Sequence, residues 1–92
     1  MHKALAHRPG DDVAVAVVPI TAGEEIIVAY LDTDAEEKIT TLADIPYGHK
    51  VAVHDRTAGD PVVEYGTQIG IAATDIVSGD YVHTHNLKSA RW

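Results

Sequence analysis

The chain has 92 residues, with 14 acidic and 7 basic side chains, a formal net charge of −7 and no cysteine. This length predicts one small domain, and the acidic balance argues against a nucleic-acid partner, because neutralising phosphates requires a basic patch. Without cysteine, disulfides, thiolate nucleophiles and cysteine-ligated metal sites are excluded.

The apolar residues form no run close to the ~20 residues that a membrane span requires. The first eight residues lack the long apolar centre of a signal peptide. Both observations predict a cytoplasmic protein with no membrane partner.

The predicted elements, in chain order, are short strands between turns. Residues 1–11 are expected to be a loose N-terminus, followed by one domain over residues 12–87 and a tail over residues 88–92. Runs rich in β-branched residues predict strands at residues 13–18, 25–30, 38–42, 49–55, 62–65, 69–73 and 80–87. No amphipathic helix longer than a turn or two is evident, so we expect an all-β fold.

A turn of the form x-x-small-Gly-acidic recurs at residues 20–24, 56–60 and 76–80. Glycine adopts positive φ without steric cost, and the acidic side chain can accept hydrogen bonds from nearby backbone N–H groups. We interpret these turns as leads into strands rather than as ligand-binding loops. Asp75 is interpreted as a turn residue, the alternative being an acceptor that orients a histidine.

The segment Tyr81-Val-His-Thr-His-Asn-Leu87 carries the strongest functional signal. On an extended strand, His83 and His85 project from the same face, where two neutral imidazoles can hold a metal ion or an anion. The alternative is a pair of exposed histidines hydrated by water. Asn86 faces the other side of a regular strand and joins them only at a bulge or strand end; otherwise it is a turn residue.

A second candidate segment begins at Gly48, which leaves room for a ligand beside His49. Without a ligand, His49 would be a polar residue of an edge strand. Lys50 alternates to the other face of the strand, so His49 and Lys50 are not expected to contact the same substrate atom. Lys50 either attracts a carboxylate or is solvated. The remaining histidines are expected on the surface: His2, His7 and His54.

Taken together, several motifs resemble the SAF-type domain of altronate and galactarate dehydratases and the small subunit of the related sulfolactate sulfo-lyase. The motifs are Gly48-His49-Lys50, Ala58-Gly59-Asp60, Tyr65-Gly66, Ile69-Gly70 and His83-Thr84-His85-Asn86. The resemblance spans residues 12–86 and implies a β-clip fold of bent hairpins. In this family the domain is either fused in front of a larger catalytic domain or a separate small subunit, so it also implies a large catalytic lyase partner.

The resemblance implies a lyase that eliminates water or sulfite from a hydroxylated sugar acid. Removing the α-proton of a carboxylate forms an enediolate, which a divalent ion can stabilise. The family motif therefore implies catalytic or metal-ligating roles for His83 and His85, and substrate binding by His49, Lys50 and Asn86. The expected ion is Fe²⁺ or Mn²⁺, shared with the large subunit, and the isolated chain is expected to be inactive.

Two other classes of function remain open. One is a non-catalytic module that binds an anionic sugar or a protein partner. The other is an assembly element that forms homo-oligomers through exposed strand edges and the tail. Lys88, Arg91 and Trp92 suit a docking site for the large partner, and a free tail is the alternative. The acidic residues between 32 and 37 lack the spacing and glycine of a calcium loop.

Overall fold

The computed structural model describes residues 2–89, which form nine β-strands and contain no helix. The strands are β1 Ala4–Ala6, β2 Val13–Ala16, β3 Glu25–Tyr30, β4 Glu36–Thr40, β5 Lys50–Ala52, β6 Pro61–Glu64, β7 Thr67–Ala72, β8 Tyr81–Val82 and β9 Leu87–Ser89. No helix capable of crossing a membrane occurs within this range. The all-β prediction is confirmed.

The strands form two sheets, one of six strands in the order β4-β3-β1-β2-β5-β8 and one of three in the order β6-β7-β9. All pairs are antiparallel except β1 and β3. The successive strands β8 and β9 are edge strands of different sheets, so the short segment between them crosses from one sheet to the other. This architecture, a curled large sheet with a small sheet beside it, agrees with the predicted β-clip fold.

Two clusters of buried apolar side chains hold the sheets in place. The larger lies along the six-stranded sheet, where Ile26, Val28 and Tyr30 of β3 are buried at every second position, as expected for a strand with one buried face. The second cluster joins the two sheets and includes Val13, Ala52, Val62, Ala72, Ile76 and Val82. Burial of this second cluster fixes the small sheet against β5 and β8.

The N-terminal segment differs from its prediction as a loose tail. The strand β1 lies inside the large sheet, between β3 and β2, and both Ala4 and Ala6 are buried. A strand of only three residues gives little periodicity from which it can be recognised. The segment is also fixed by the fully buried Asp11, which accepts hydrogen bonds from the N–H groups of His7 and Gly66. The domain therefore includes residues 4–11.

Asp11 stays ionised although it is buried. Burial alone would raise the pKa of its carboxyl, but hydrogen bonds from four backbone N–H groups hold that pKa below its usual value. The four donors are Gly66, Tyr65, His7 and Arg8. The carboxylate thereby ties the loop after β1 to the hairpin between β6 and β7.

In each Gly-acidic motif the turn itself spans the last four residues, 21–24, 57–60 and 77–80, and the three turns share one structure. In each, the glycine has positive φ (86°, 94° and 96°), and the acidic side chain accepts a hydrogen bond from the N–H of the first turn residue. These bonds join Thr21 to Glu24 (2.5 Å), Thr57 to Asp60 (2.8 Å) and Val77 to Asp80 (2.9 Å). An aspartate from a paired turn accepts from the second residue: Asp44 from Ala22, Asp75 from Ala58 and Asp55 from Ser78. The turns, and Asp75 with them, thus have the structural role predicted.

Candidate functional site

A cavity of about 520 Å³ opens where the two sheets meet. Its polar lining includes His49, Lys50, Glu64 and His83, and its apolar lining includes Ile69, Val82 and Leu87. These residues come from both sheets and from both edge strands β8 and β9. A concave site with a few convergent polar groups and an apolar wall is the usual form of a small-molecule site.

His49 reaches this cavity from a fourth turn of the repeated type, at residues 46–49. Gly48 has φ 81°, and the N–H of His49 donates to the carbonyl of Pro46 (3.0 Å), as the fourth residue does in the other turns. The first turn residue here is Pro46, which has no N–H to satisfy. An acidic side chain at the fourth position would therefore have no N–H of the first residue to accept from. His49 occupies that position instead.

His49 and Lys50 both line the cavity, contrary to the prediction that they face opposite sides. The prediction relies on strand alternation through both residues, but β5 begins only at Lys50, and His49 belongs to the turn. Alternation applies only to extended backbone, so it does not separate these two side chains.

The terminal histidine motif also differs from the predicted strand. The strand β8 ends at Val82, and residues 83–86 form a turn in which the N–H groups of Asn86 and Leu87 donate to the carbonyl of His83 (3.1 and 2.9 Å). His83 lines the cavity, whereas His85 lies outside its lining. The expectation that both imidazoles leave one face of a strand was therefore wrong.

Asn86 is the physical cause of this turn. Its side chain is buried, with 4% exposed; its Oδ1 accepts from the N–H of His83 (2.9 Å), and its Nδ2 donates to the carbonyl of Tyr81 (2.8 Å). Side-chain amides that bond to nearby backbone compete with ladder pairing. Asn86 does not line the cavity, so the structure gives it a structural role and no direct contact with a ligand there.

Tyr81 connects the histidines and was not singled out by sequence. Its hydroxyl lies 2.5 Å from Nδ1 of His49. Its ring centroid lies 5.5 Å from that of His83 and 5.9 Å from that of His85. The rings of His49 and His83 are stacked at 5.5 Å. The position of Tyr81 next to the histidine motif was the available signal, but its contact with His49 depends on the pairing of β5 with β8.

Glu64 is the second residue that sequence reasoning missed. Its carboxyl lies 3.7 Å from the ammonium of Lys50, and 15% of its side chain is exposed. Burial raises the pKa of the Glu64 carboxyl, and the Lys50 ammonium only partly offsets this rise. A polar residue at the end of the apolar run of β6 was the signal in the sequence. The cavity thus holds a lysine beside a carboxyl that keeps its proton to higher pH than usual.

The described histidines and carboxylates are not clustered as metal ligands. Across residues 2–89, no group of three or more histidine, aspartate or glutamate side chains is arranged to hold an ion. The predicted metal role of His83 and His85 was based on a strand that projects both imidazoles from one face, and the structure has a turn there. That role stays a prediction. The imidazoles that approach each other at the cavity are instead His49 and His83.

Away from the cavity, Asp12 is the centre of a structural network. Asp12 is buried and accepts hydrogen bonds from the guanidinium of Arg56 and the N–H of Val63. His54, expected on the surface, is half-buried with Nδ1 3.4 Å from Asp12. His7 packs against the ring of Tyr65. In the predicted tail, Lys88 lies in β9, and Arg91 and Trp92 lie outside the described residues.

Comparison with known proteins gives one family. Residues 2–90 match the family described as the altronate/galactarate dehydratase SAF domain. The chain is 34% identical over 89 residues to the (2R)-sulfolactate sulfo-lyase subunit alpha of Chromohalobacter salexigens, which covers 96% of this chain and 95% of that subunit.

Two further relatives extend this comparison. The subunit of the same name from Paracoccus pantotrophus is 46% identical over 59 residues, covering 64% of this chain and 88% of the relative. The altronate dehydratase of Escherichia coli is 37% identical over 79 residues, which are 86% of this chain but only 15% of that enzyme. The similarity thus extends over nearly the full length of a lyase subunit and over a small part of a longer dehydratase.

Proposed function

Because this chain belongs to the altronate/galactarate dehydratase SAF-domain family, we propose that it is the small subunit, or the N-terminal domain, of a lyase that acts on a hydroxylated acid. The reaction is β-elimination of water or sulfite, the chemistry named by a dehydratase and a sulfo-lyase among its relatives. One relative, matched over 95% of its length, is named a subunit alpha, which supports a second subunit as the partner.

The observation that carries this proposal is the convergence of His49, Lys50, Glu64 and His83 on one cavity. Elimination requires a group that takes the α-proton and a group that protonates the leaving group. Imidazoles exchange protons near neutral pH, and the stacked pair of His49 and His83 places two of them on the cavity. Lys50 supplies positive charge for the substrate carboxylate.

The catalytic centre in this proposal is completed by the large partner. The cavity opens beside β8 and β9, which are edge strands of their sheets, and edge strands can be covered by another chain. A divalent ion of the kind the family resemblance implies would need most of its ligands from that partner, since residues 2–89 do not assemble three.

Reconstitution with the large lyase subunit from the same organism tests the proposal. Turnover of a hydroxylated sugar acid and of sulfolactate is measured as formation of the keto acid or release of sulfite. We expect activity only when both chains are present, and a loss of about 10²–10⁴-fold for His49→Ala and His83→Ala, the usual range for a lost proton-transfer group. His85→Ala is the matched control, because His85 belongs to the same turn but lies outside the cavity lining.

Two results would contradict the proposal. Full activity of the isolated chain would show that no partner completes the site. Unchanged turnover in both His49→Ala and His83→Ala would leave the cavity without a chemical role, and would favour a non-catalytic module that binds an anionic sugar or a protein.

A further inference from the structure

The contact between Tyr81 and His49 sets the state of the imidazole that faces the cavity. We propose that Tyr81 is a positioning residue, whose hydroxyl donates a hydrogen bond to Nδ1 of His49 and holds the ring as the tautomer protonated at Nε2. The Nε2–H group is then the one that His49 presents to a ligand. The identity of that ligand rests on the proposed function, whereas the tautomer does not.

The distance and the surroundings of Tyr81 support a fixed hydrogen bond. The hydroxyl lies 2.5 Å from Nδ1 of His49, close enough for a hydrogen bond. Tyr81 pairs with Val51 across the two strands β5 and β8, its carbonyl accepts from Asn86, and its ring packs against the core. The phenol is therefore held by pairing, hydrogen bonding and packing at the position from which it contacts the imidazole.

The proposed direction of the hydrogen bond gives the phenol proton an acceptor among the described residues. A neutral imidazole has one N–H donor and one bare acceptor nitrogen, and the hydrogen bond at one nitrogen decides which of them carries the proton. Among residues 2–89, the Tyr81 hydroxyl makes no hydrogen bond other than the one to His49. Donation to Nδ1 uses the phenol proton and leaves the ring proton on Nε2.

The turn that carries His49 does not need this side chain. Glu24, Asp60 and Asp80 occupy the matching position in the other turns and bond to the first N–H of the turn. Pro46 removes that N–H, so His49 makes its side-chain bond outside the turn, to Tyr81. The orientation of the His49 side chain is therefore not set by a hydrogen bond within its own turn.

Heteronuclear NMR on the full 92-residue chain tests the inference, with the two ring nitrogens of His49 observed directly near neutral pH. In the wild-type chain we expect Nε2 to be protonated and Nδ1 to be bare. Tyr81→Phe keeps the ring that packs on His83 and removes only the hydroxyl. We expect it to raise the ratio of the Nδ1–H to the Nε2–H tautomer about fivefold, which corresponds to one hydrogen bond of about 1 kcal/mol.

The matched control is Tyr65→Phe, because the ring of Tyr65 also packs on an imidazole, that of His7, but lies away from His49. It should leave the His49 signals unchanged. A wild-type His49 protonated at Nδ1 would overturn the inference and needs no variant. An unchanged tautomer ratio in a folded Tyr81→Phe chain would also overturn it.

A second measurement separates this inference from the proposed function. In the reconstituted lyase, Tyr81→Phe should lower kcat by the factor by which the Nε2–H population falls in the NMR measurement, a loss smaller than about fivefold. KM should change little, because the substrate still binds while His49 presents the required nitrogen less often. If no reconstituted enzyme shows lyase activity, the proposed function fails while the NMR result still decides the role of Tyr81. If the wild type is active and the variant matches it in kcat, Tyr81 has no positioning role in catalysis.

Discussion

Substitution of two equivalent glycines by alanine separates backbone strain from steric overlap in this fold. Gly59 and Gly79 occupy the same position in related turns, with φ of 94° and 96°, and both donate their N–H across the turn, to Ala72 and Ala52 respectively. A Cβ on Gly59 would meet no described atom within 4 Å, whereas a Cβ on Gly79 would overlap the carbonyl oxygen of Thr40. The two sites differ mainly in that overlap.

The expected losses follow from these geometries. Either alanine must adopt positive φ, which costs about 1–2 kcal/mol. Gly79→Ala must also displace backbone, an overpacking cost of about 1–3 kcal/mol, and this would strain the bond from the N–H of Leu42 to the carbonyl of Gly79 (2.9 Å). We expect about 1 kcal/mol for Gly59→Ala and about 3–4 kcal/mol for Gly79→Ala, a large part of the ~5–14 kcal/mol typical for a domain of this size.

Urea unfolding followed by circular dichroism measures both free energies of unfolding, and thermal melting should separate the two variants by about 8–24 °C. Equal losses in the two variants, within about 0.5 kcal/mol, would show that the Thr40 carbonyl moves away freely. A larger loss for Gly59→Ala than for Gly79→Ala would refute the packing of this turn on β4.

Two further predictions concern the cavity. The folded-state pKa of Glu64 lies above its usual 4.5, so as the pH rises the Glu64 carboxyl ionises in the unfolded chain before it does in the folded one. Its contribution to stability is therefore complete below pH 4.5 and is lost as the pH rises through the raised pKa. In urea titrations, the free energy of unfolding of Glu64→Gln should therefore fall less than that of the wild type between pH 4.5 and 7. The control is Glu36→Gln, at an exposed position, which should follow the wild type. Parallel curves of unfolding free energy against pH for all three chains would contradict the burial of Glu64. Asn86→Ala should lower the free energy of unfolding by about 2 kcal/mol, because two hydrogen bonds are lost. Asn86→Asp keeps the acceptor for the N–H of His83 and should lose about half as much. Equal losses in the two variants would show that the bond from His83 contributes little.

Much of the fold could be predicted from local pattern. The strand β3 was predicted with the bounds observed, because alternation of buried and half-buried residues through Glu25–Tyr30 is regular. The glycine turns were predicted because positive φ and acidic acceptors leave a local signature. The strand β1 was missed because its three residues, held mainly by long-range pairing with β2 and β3, carry no comparable periodicity.

The site was less predictable, because its geometry depends on single positions and on distant pairing. One boundary decides whether His49 and Lys50 share a side: β5 begins at Lys50, and alternation does not reach back into the turn. A buried side-chain amide, that of Asn86, ends β8 and turns His83 towards the cavity and His85 away from it. Glu64 joins the site only because the small sheet packs beside β5, a contact that no short segment of the sequence encodes.

The four related turns suggest how a structural position becomes available for chemistry. At three of them an acidic side chain is required to satisfy the first N–H of the turn, and its replacement would leave that group unbonded. At the fourth, Pro46 removes the N–H, while Gly48 still supplies the positive φ of 81° and the backbone bond from His49 to Pro46 is kept. The side chain at position 49 is thus relieved of a structural role without loss of the turn. Since Pro46, Gly48 and His49 can be read directly beside the three acidic turns, this departure is visible in the sequence itself.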